Sequence, residues 1–156
     1  MNRLLALLVV VLGVVCLALG AFFIYQGVSK NNWLVDNIRQ EKITLGLTQD
    51  QIKAGKVLES MSDLQKAGDT VRGHRHTLAP TYNDALGGGK YDPTIAQQAT
   101  YAQAMNIENY LYVGVLSFGV VQVVEGAGAF MIVVAVALWA IGIILWRLSK
   151  RRESME

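Results

Sequence analysis

Apolar and polar positions divide the chain into three regimes. Residues 4–25 form an unbroken uncharged run, residues 26–109 mix apolar and polar positions, and residues 110–146 are apolar except for Ser117, Gln122 and Glu125. In the middle regime the apolar positions recur at helical spacing. Val28, Leu34, Val35 and Ile38 predict that the first helix continues over residues 26–43. Thr44-Leu45-Gly46-Leu47 breaks it, and Thr48-Gln49-Asp50-Gln51 reads as a capping box opening a short helix. Ser62-Asp63-Leu64-Gln65 reads as a second box, followed by a stripe of Leu64, Ala67, Val71, Leu78 and Leu86. Pro80 removes a hydrogen bond and should kink or split that helix. Gly87-Gly88-Gly89 ends it, because glycine takes the left-handed C-cap conformation without steric cost. Asp92-Pro93 opens the last helix as N-cap and first helical residue, with a buried stripe of Ala104, Ile107, Leu111, Val115 and Phe118. No useful strand-like alternation occurs. The predicted fold is all-α: two antiparallel transmembrane helices extended into an external helical bundle with a shorter helical hairpin.

The first run is 22 residues long, and about 20 suffice to cross the roughly 30 Å hydrocarbon layer. Ala18-Leu19-Gly20 would pass as a signal cleavage site. The run exceeds the 7–15 residues of a typical signal core, so a retained anchor is expected. The second run is 37 residues, about 55 Å as one helix, nearly twice the hydrocarbon thickness. Counting back 22 residues from Arg147 reaches Glu125, opposite Tyr25 and Gln26, where a carboxylate stays wet. Phe22, Phe23, Tyr25 and Phe130 mark one interface and Trp146 the other. A separate span over residues 110–124 would have only 15 residues and would export the basic tail, so two spans are expected. Arg147, Lys150, Arg151 and Arg152 set the orientation by the positive-inside rule. The layout is then a cytoplasmic N-terminus (1–3), a span (4–25), an extracytoplasmic helical domain (26–125), a second span (126–146) and a cytoplasmic basic tail (147–156). The expected location is the plasma (inner) membrane.

Each span carries small residues at seven-residue intervals: Ala6, Gly13, Gly20 and Gly27 in the first, Gly128, Ala135 and Gly142 in the second. Seven residues are nearly two turns, so each set lines one seam. Lipid gives helices no hydrophobic reason to associate, and close backbone approach at small residues supplies the attraction. The seam could serve the hairpin or a neighbouring copy. A second surface follows from Val113, Leu116, Val120 and Val124, with their apolar neighbours on every side of the helix. Placed outside the membrane, such a helix must be covered, and an assembly surface for another chain is expected there.

Composition fits a membrane protein. Hydrophobic residues make up 53% and charged residues 17%, against about 25% charged in soluble domains. The charge is segregated: residues 26–109 hold nine acids and nine bases, while 4–25 and 126–146 hold none. A net charge of +2 without a basic stripe gives no nucleic-acid footprint. Membrane lipid is the expected environment, and copies of this chain or other membrane subunits are the expected partners. A lone Cys16 excludes a disulfide framework within the chain.

Little chemistry is visible. His74 and His76 are the metal candidates, but on a helix they point about 200° apart and cannot share one ion. His74 follows Val71 by three residues and is expected near the buried stripe, with His76 facing water. Gly87-Gly88-Gly89-Lys90 lacks the spacing and strand of a phosphate loop. Tyr82, Tyr91, Tyr101, Tyr110 and Tyr112 suggest a bundle core or an interface. Glu108 and Asn109, among apolar neighbours, are expected to bond each other's surroundings or Arg72 or Arg75. No cofactor is expected, and no enzyme activity.

Glu41-Lys42-Ile43-Thr44 and Tyr101-Ala102-Gln103-Ala104 resemble motifs of a broad set of bacterial two-span membrane proteins with an external helical domain. Some of those proteins bear the label ring-opening dioxygenase. The resemblance implies the two-span layout. The label would imply an iron held by two histidines and a carboxylate, a disposition that His74 and His76 do not offer. The expectation is therefore a non-catalytic membrane protein acting by assembly, as homo-oligomer or accessory subunit. The alternatives are an extracytoplasmic sensor or ligand-binding module signalling through a partner, and a histidine-dependent metal protein.

Overall fold

Helix α1 runs Asn2–Gln40 without interruption, because no proline falls within it and its glycines stand singly. The computed structural model describes residues 2–153, and among them every regular element is helical. The others are α2 (Gln49–Lys53), α3 (Met61–Leu78), α4 (Tyr82–Leu86) and α5 (Ala96–Glu153). The chain forms two compact units, Met1–Asn31 with Val121–Glu156, and Asn32–Val120.

Both α1 and α5 contain stretches long and apolar enough to cross a membrane. In each, little of the most apolar 18-residue window is buried: 11% in α1 and 17% in α5. The core helix of a soluble protein would be covered by its own chain. These two helices are compatible with a membrane protein.

In the second unit, α1 ends at Gln40 and Lys42 turns the chain with φ 49°. Gly46 follows at φ 73°, with α3 so close that an added Cβ would sit 3.1 Å from the Ala67 nitrogen. Both its φ and this approach require glycine. The Leu58 N–H donates to the Ile43 carbonyl across the loop. The core beneath comprises Leu58, Leu64, Ala67, Val71, Leu111 and Phe118, with Leu34, Val35 and Ile38 of α1 packed against it. Helices α3 and α5 meet closely at two glycines: a Cβ at Gly68 would lie 2.9 Å from the Tyr112 ring, and one at Gly114 2.8 Å from Leu64 Cδ1.

The capping signals resolve differently along the chain. At α2, both hydrogen bonds of the Thr48–Gln51 box are present. The cap of α3 is Ser60, two residues before the expected Ser62. Asp63 decides this, since its amide donates to Ser60 Oγ and its carboxylate accepts from the same hydroxyl. Pro80 separates α3 from α4, which Thr81 caps and left-handed Gly87 ends. Asp92 does not start α5. Its carboxylate accepts from the amide and hydroxyl of Thr94, closing a local turn, and the helix begins at Ala96.

Candidate functional site

The seven small residues of the seam are all buried within the first unit. A Cβ added at Gly20 would lie 2.8 Å from the Gly128 carbonyl oxygen and 2.9 Å from Ile132 Cγ1. At Gly13 it would meet the Trp139 indole at 2.6 Å, and at Gly142 Val10 Cγ2 at 2.6 Å. Gly27 faces the Glu125 side chain, whose methylene occupies the place of a Cβ. Contacts therefore descend along α5 as they ascend along α1. Trp139 Nε1 is buried here with no hydrogen-bond partner among the described residues. Glu125 lies over Gly27 and accepts no hydrogen bond from a described residue.

The second unit holds a buried polar cluster. Tyr101 is 0% exposed. Arg75 Nη1 donates to its hydroxyl, and the guanidinium carbon lies 4.9 Å from its ring centroid. Arg75 Nε also donates to Glu108 Oε2 at 2.7 Å, with side-chain exposures of 12% and 9%. The Glu108 carboxylate raises the Arg75 pKa above its ordinary value, against the opposing pull of desolvation. Asp69 accepts from the Tyr112 hydroxyl at 2.8 Å and from Gln65 at 3.1 Å. Near the start of α3, burial pulls the Asp63 pKa upward. The Ser60 hydroxyl and Lys56 ammonium outweigh it and hold Asp63 below the usual carboxylate value.

These pairings correct two sequence expectations. The inward position after Val71 belongs to Arg75, one full turn on, and His74 is exposed along with His76. On α5, Glu108 turns inward to meet Arg75, which leaves Ile107 exposed. Of the five tyrosines, only Tyr101 is fully buried and Tyr112 half-buried; Tyr82, Tyr91 and Tyr110 are exposed. Among the described residues no group of three or more His, Cys, Asp or Glu side chains comes together for a metal ion.

The second unit also presents an apolar ridge and an apolar cavity. The exposed face of α5 carries Val113 at 57%, Leu116 at 69% and Val120 at 64% exposure, with Tyr110 before them. Val124 is half-buried, while Leu111, Phe118 and Val121 are buried. The ridge is thus one face of the helix rather than its whole circumference. Beside it a cavity of about 530 Å³ opens among Ile38, Ile43, Leu45, Leu64, Ile107 and Leu111, with Asn37, Glu41 and Tyr110 also in its wall. The sequence reading missed this cavity. Its wall draws on α1, the 41–47 loop, α3 and α5, so no local spacing marks it; the one signal is the alternation of Ile43, Leu45 and Leu47 in a loop, of which Leu45 stays exposed.

The motif Glu41-Lys42-Ile43-Thr44 forms that loop, and Tyr101-Ala102-Gln103-Ala104 lies in α5. No protein-family model, curated protein or solved structure matches the chain.

Proposed function

We propose that this chain is a non-catalytic integral protein of the plasma (inner) membrane that acts by assembly, as a homo-oligomer or an accessory subunit. Residues 4–25 and 126–146 form an antiparallel transmembrane hairpin closed along the small-residue seam. Residues 26–125 stand outside as a helical bundle, and both termini are cytoplasmic. The basic residues after Trp146 support that orientation.

The ridge of Val113, Leu116 and Val120 carries the functional reading. Within the second unit, Leu34, Val35 and Ile38 of α1 share a core with Leu111 and Phe118 of α5. The outer face of α1 there presents Asn32, Asp36 and Arg39, while α5 presents the bare ridge. Lipid deep enough to cover the ridge would also meet Asp36 and Arg39. Each charge at the centre of a bilayer costs about 2.5–3.5 kcal/mol on insertion scales. Another polypeptide can cover the ridge alone. Full burial of each valine or leucine is worth about 1.5–3 kcal/mol.

The test is particle mass and co-purifying chains in mild detergent for wild type, Leu116→Lys and Val120→Asp. Wild type should run as an oligomer or with companion subunits. Both variants should lose that association while keeping wild-type helicity and melting. A wild-type monomer without companions refutes the reading. The cavity supports a second reading, an extracytoplasmic ligand-binding module that passes its signal to a partner. Its volume falls within the roughly 300–1,000 Å³ of ligand pockets.

A further inference from the structure

We infer that the cavity between α1, α3 and α5 binds a single-chain amphiphile with an ammonium head; this rests on the ligand-binding reading. Most of the wall is aliphatic, from Ile38, Ile43, Leu45, Leu64, Ile107 and Leu111, and suits an apolar body. The polar groups specify the head. Glu41 is exposed, and its carboxylate accepts nothing from the described residues. Asn37 Nδ2 donates to the Trp33 carbonyl at 2.6 Å, which leaves the Asn37 Oδ1 acceptor and one amide hydrogen beside the Glu41 carboxylate. No cationic side chain lines the cavity. Of the cations nearest in sequence, Lys42 is exposed and outside the wall, and Arg39 is held by Glu59 at 2.7 Å.

A carboxylate and an amide oxygen accept hydrogen bonds and give none, so their complement is a donor. A positive donor gains most, because charge-assisted hydrogen bonds are about twice as strong as neutral ones. Tyr110 adds an aromatic ring able to attract a cation. A fatty acid places a second carboxylate beside Glu41 and is repelled. A neutral alcohol can donate to Glu41 but brings no charge. The ranking amine, then alcohol, then acid follows from these groups.

The test uses the full chain in phosphatidylcholine nanodiscs and a fluorescent dodecylamine derivative, with empty nanodiscs subtracted. Unlabelled dodecylamine, dodecanol and dodecanoic acid compete. Saturable binding is expected, with dodecylamine displacing the probe at least tenfold better than dodecanoic acid. Glu41→Gln should weaken the amine at least fivefold and leave the alcohol unchanged. Ile107→Trp and Leu45→Trp, at exposed rim positions, should each block all three while helicity and melting stay at wild-type values. Saturable binding with acid equal to amine overturns the ammonium head and leaves the ligand-binding reading standing. No saturable binding, or binding indifferent to both tryptophans, overturns the two together.

Discussion

Alanine at Gly20 and alanine at Gly126 are the same chemical change, and the structure separates them sharply. At Gly20 the new Cβ would lie 2.8 Å from a carbonyl oxygen, where ordinary contact begins at 3.4 Å. The obstacle is the backbone of Gly128, which cannot rotate aside as a side chain can. The same Cβ meets Ile132 Cγ1 at 2.9 Å and the Ile132 nitrogen at 3.2 Å, so backbone lies in the way twice. The helices must separate by about 0.6 Å locally, and neighbouring contacts loosen with them. Overpacking of this kind costs about 1–3 kcal/mol. At Gly126 nothing lies within 4 Å of the added atom. There alanine only restricts the unfolded backbone and favours the helix, a gain of about 0.5–1 kcal/mol. The assay is reversible unfolding in mixed detergent micelles, followed by helicity at two protein concentrations. Gly20→Ala should be destabilised and Gly126→Ala equal to wild type or better. Because the contact is made within one chain, the Gly20→Ala loss should not depend on protein concentration. Equal behaviour of the two variants would refute the seam argument, and a loss confined to low concentration would move the contact between chains.

Three further outcomes are expected. The Asp63 pKa is held below its ordinary value, so its stabilising contribution is full above about pH 4, the unfolded carboxylate value, and is lost as pH falls through the folded value. Melting temperature should therefore drop with acidification below about pH 4, and Asp63→Asn should flatten part of that decline. Arg75→Ala strands a buried Glu108 carboxylate and should cost about 3–5 kcal/mol in chemical unfolding. The paired change Arg75→Met with Glu108→Leu should recover most of it, and no recovery would mean the pair does more than satisfy itself. With Cys16→Ala as background, Lys90→Cys should label on intact cells with an impermeant thiol reagent and Ser154→Cys should not. Ser154 lies outside the described residues, and its labelling alone would invert the proposed topology.

Signals confined to a few neighbouring residues were the legible ones. The Thr48–Gln51 box, the break at Pro80 and the cap at Gly87 each depend on backbone groups within one turn. Competing local signals were harder. Ser62 was the expected cap, yet it falls inside α3, and the choice falls to Asp63, which bonds Ser60 and also draws in Lys56 from the loop. Asp92 had two uses for one carboxylate, and Thr94 claimed it for a turn. Arg75 was one of two partners expected for Glu108, but their shared inward turn contradicts a rule that assigns charged residues to water. Each is admissible in the interior only because the other is there, and they stand 33 positions apart. A cavity bounded by four segments of chain is further still from local reading. The small-residue intervals, by contrast, were visible as a period, although only the contacts connect Gly20 with Gly128 and Gly13 with Trp139.

The bare ridge on α5 also bears on the fate of a newly made copy. Val113, Leu116 and Val120 form a contiguous apolar face on an already folded helix, and such faces promote indiscriminate association until they are capped. On the proposed reading, a solitary copy should be short-lived, open to clumping and to the surveillance that removes orphan polypeptides. Overproduction of this chain alone should saturate whatever caps the ridge and send the surplus to aggregates or proteolysis. On the accessory-subunit reading proposed above, its steady abundance should follow the supply of the chain that covers the ridge, whereas on the homo-oligomer reading it should follow its own synthesis.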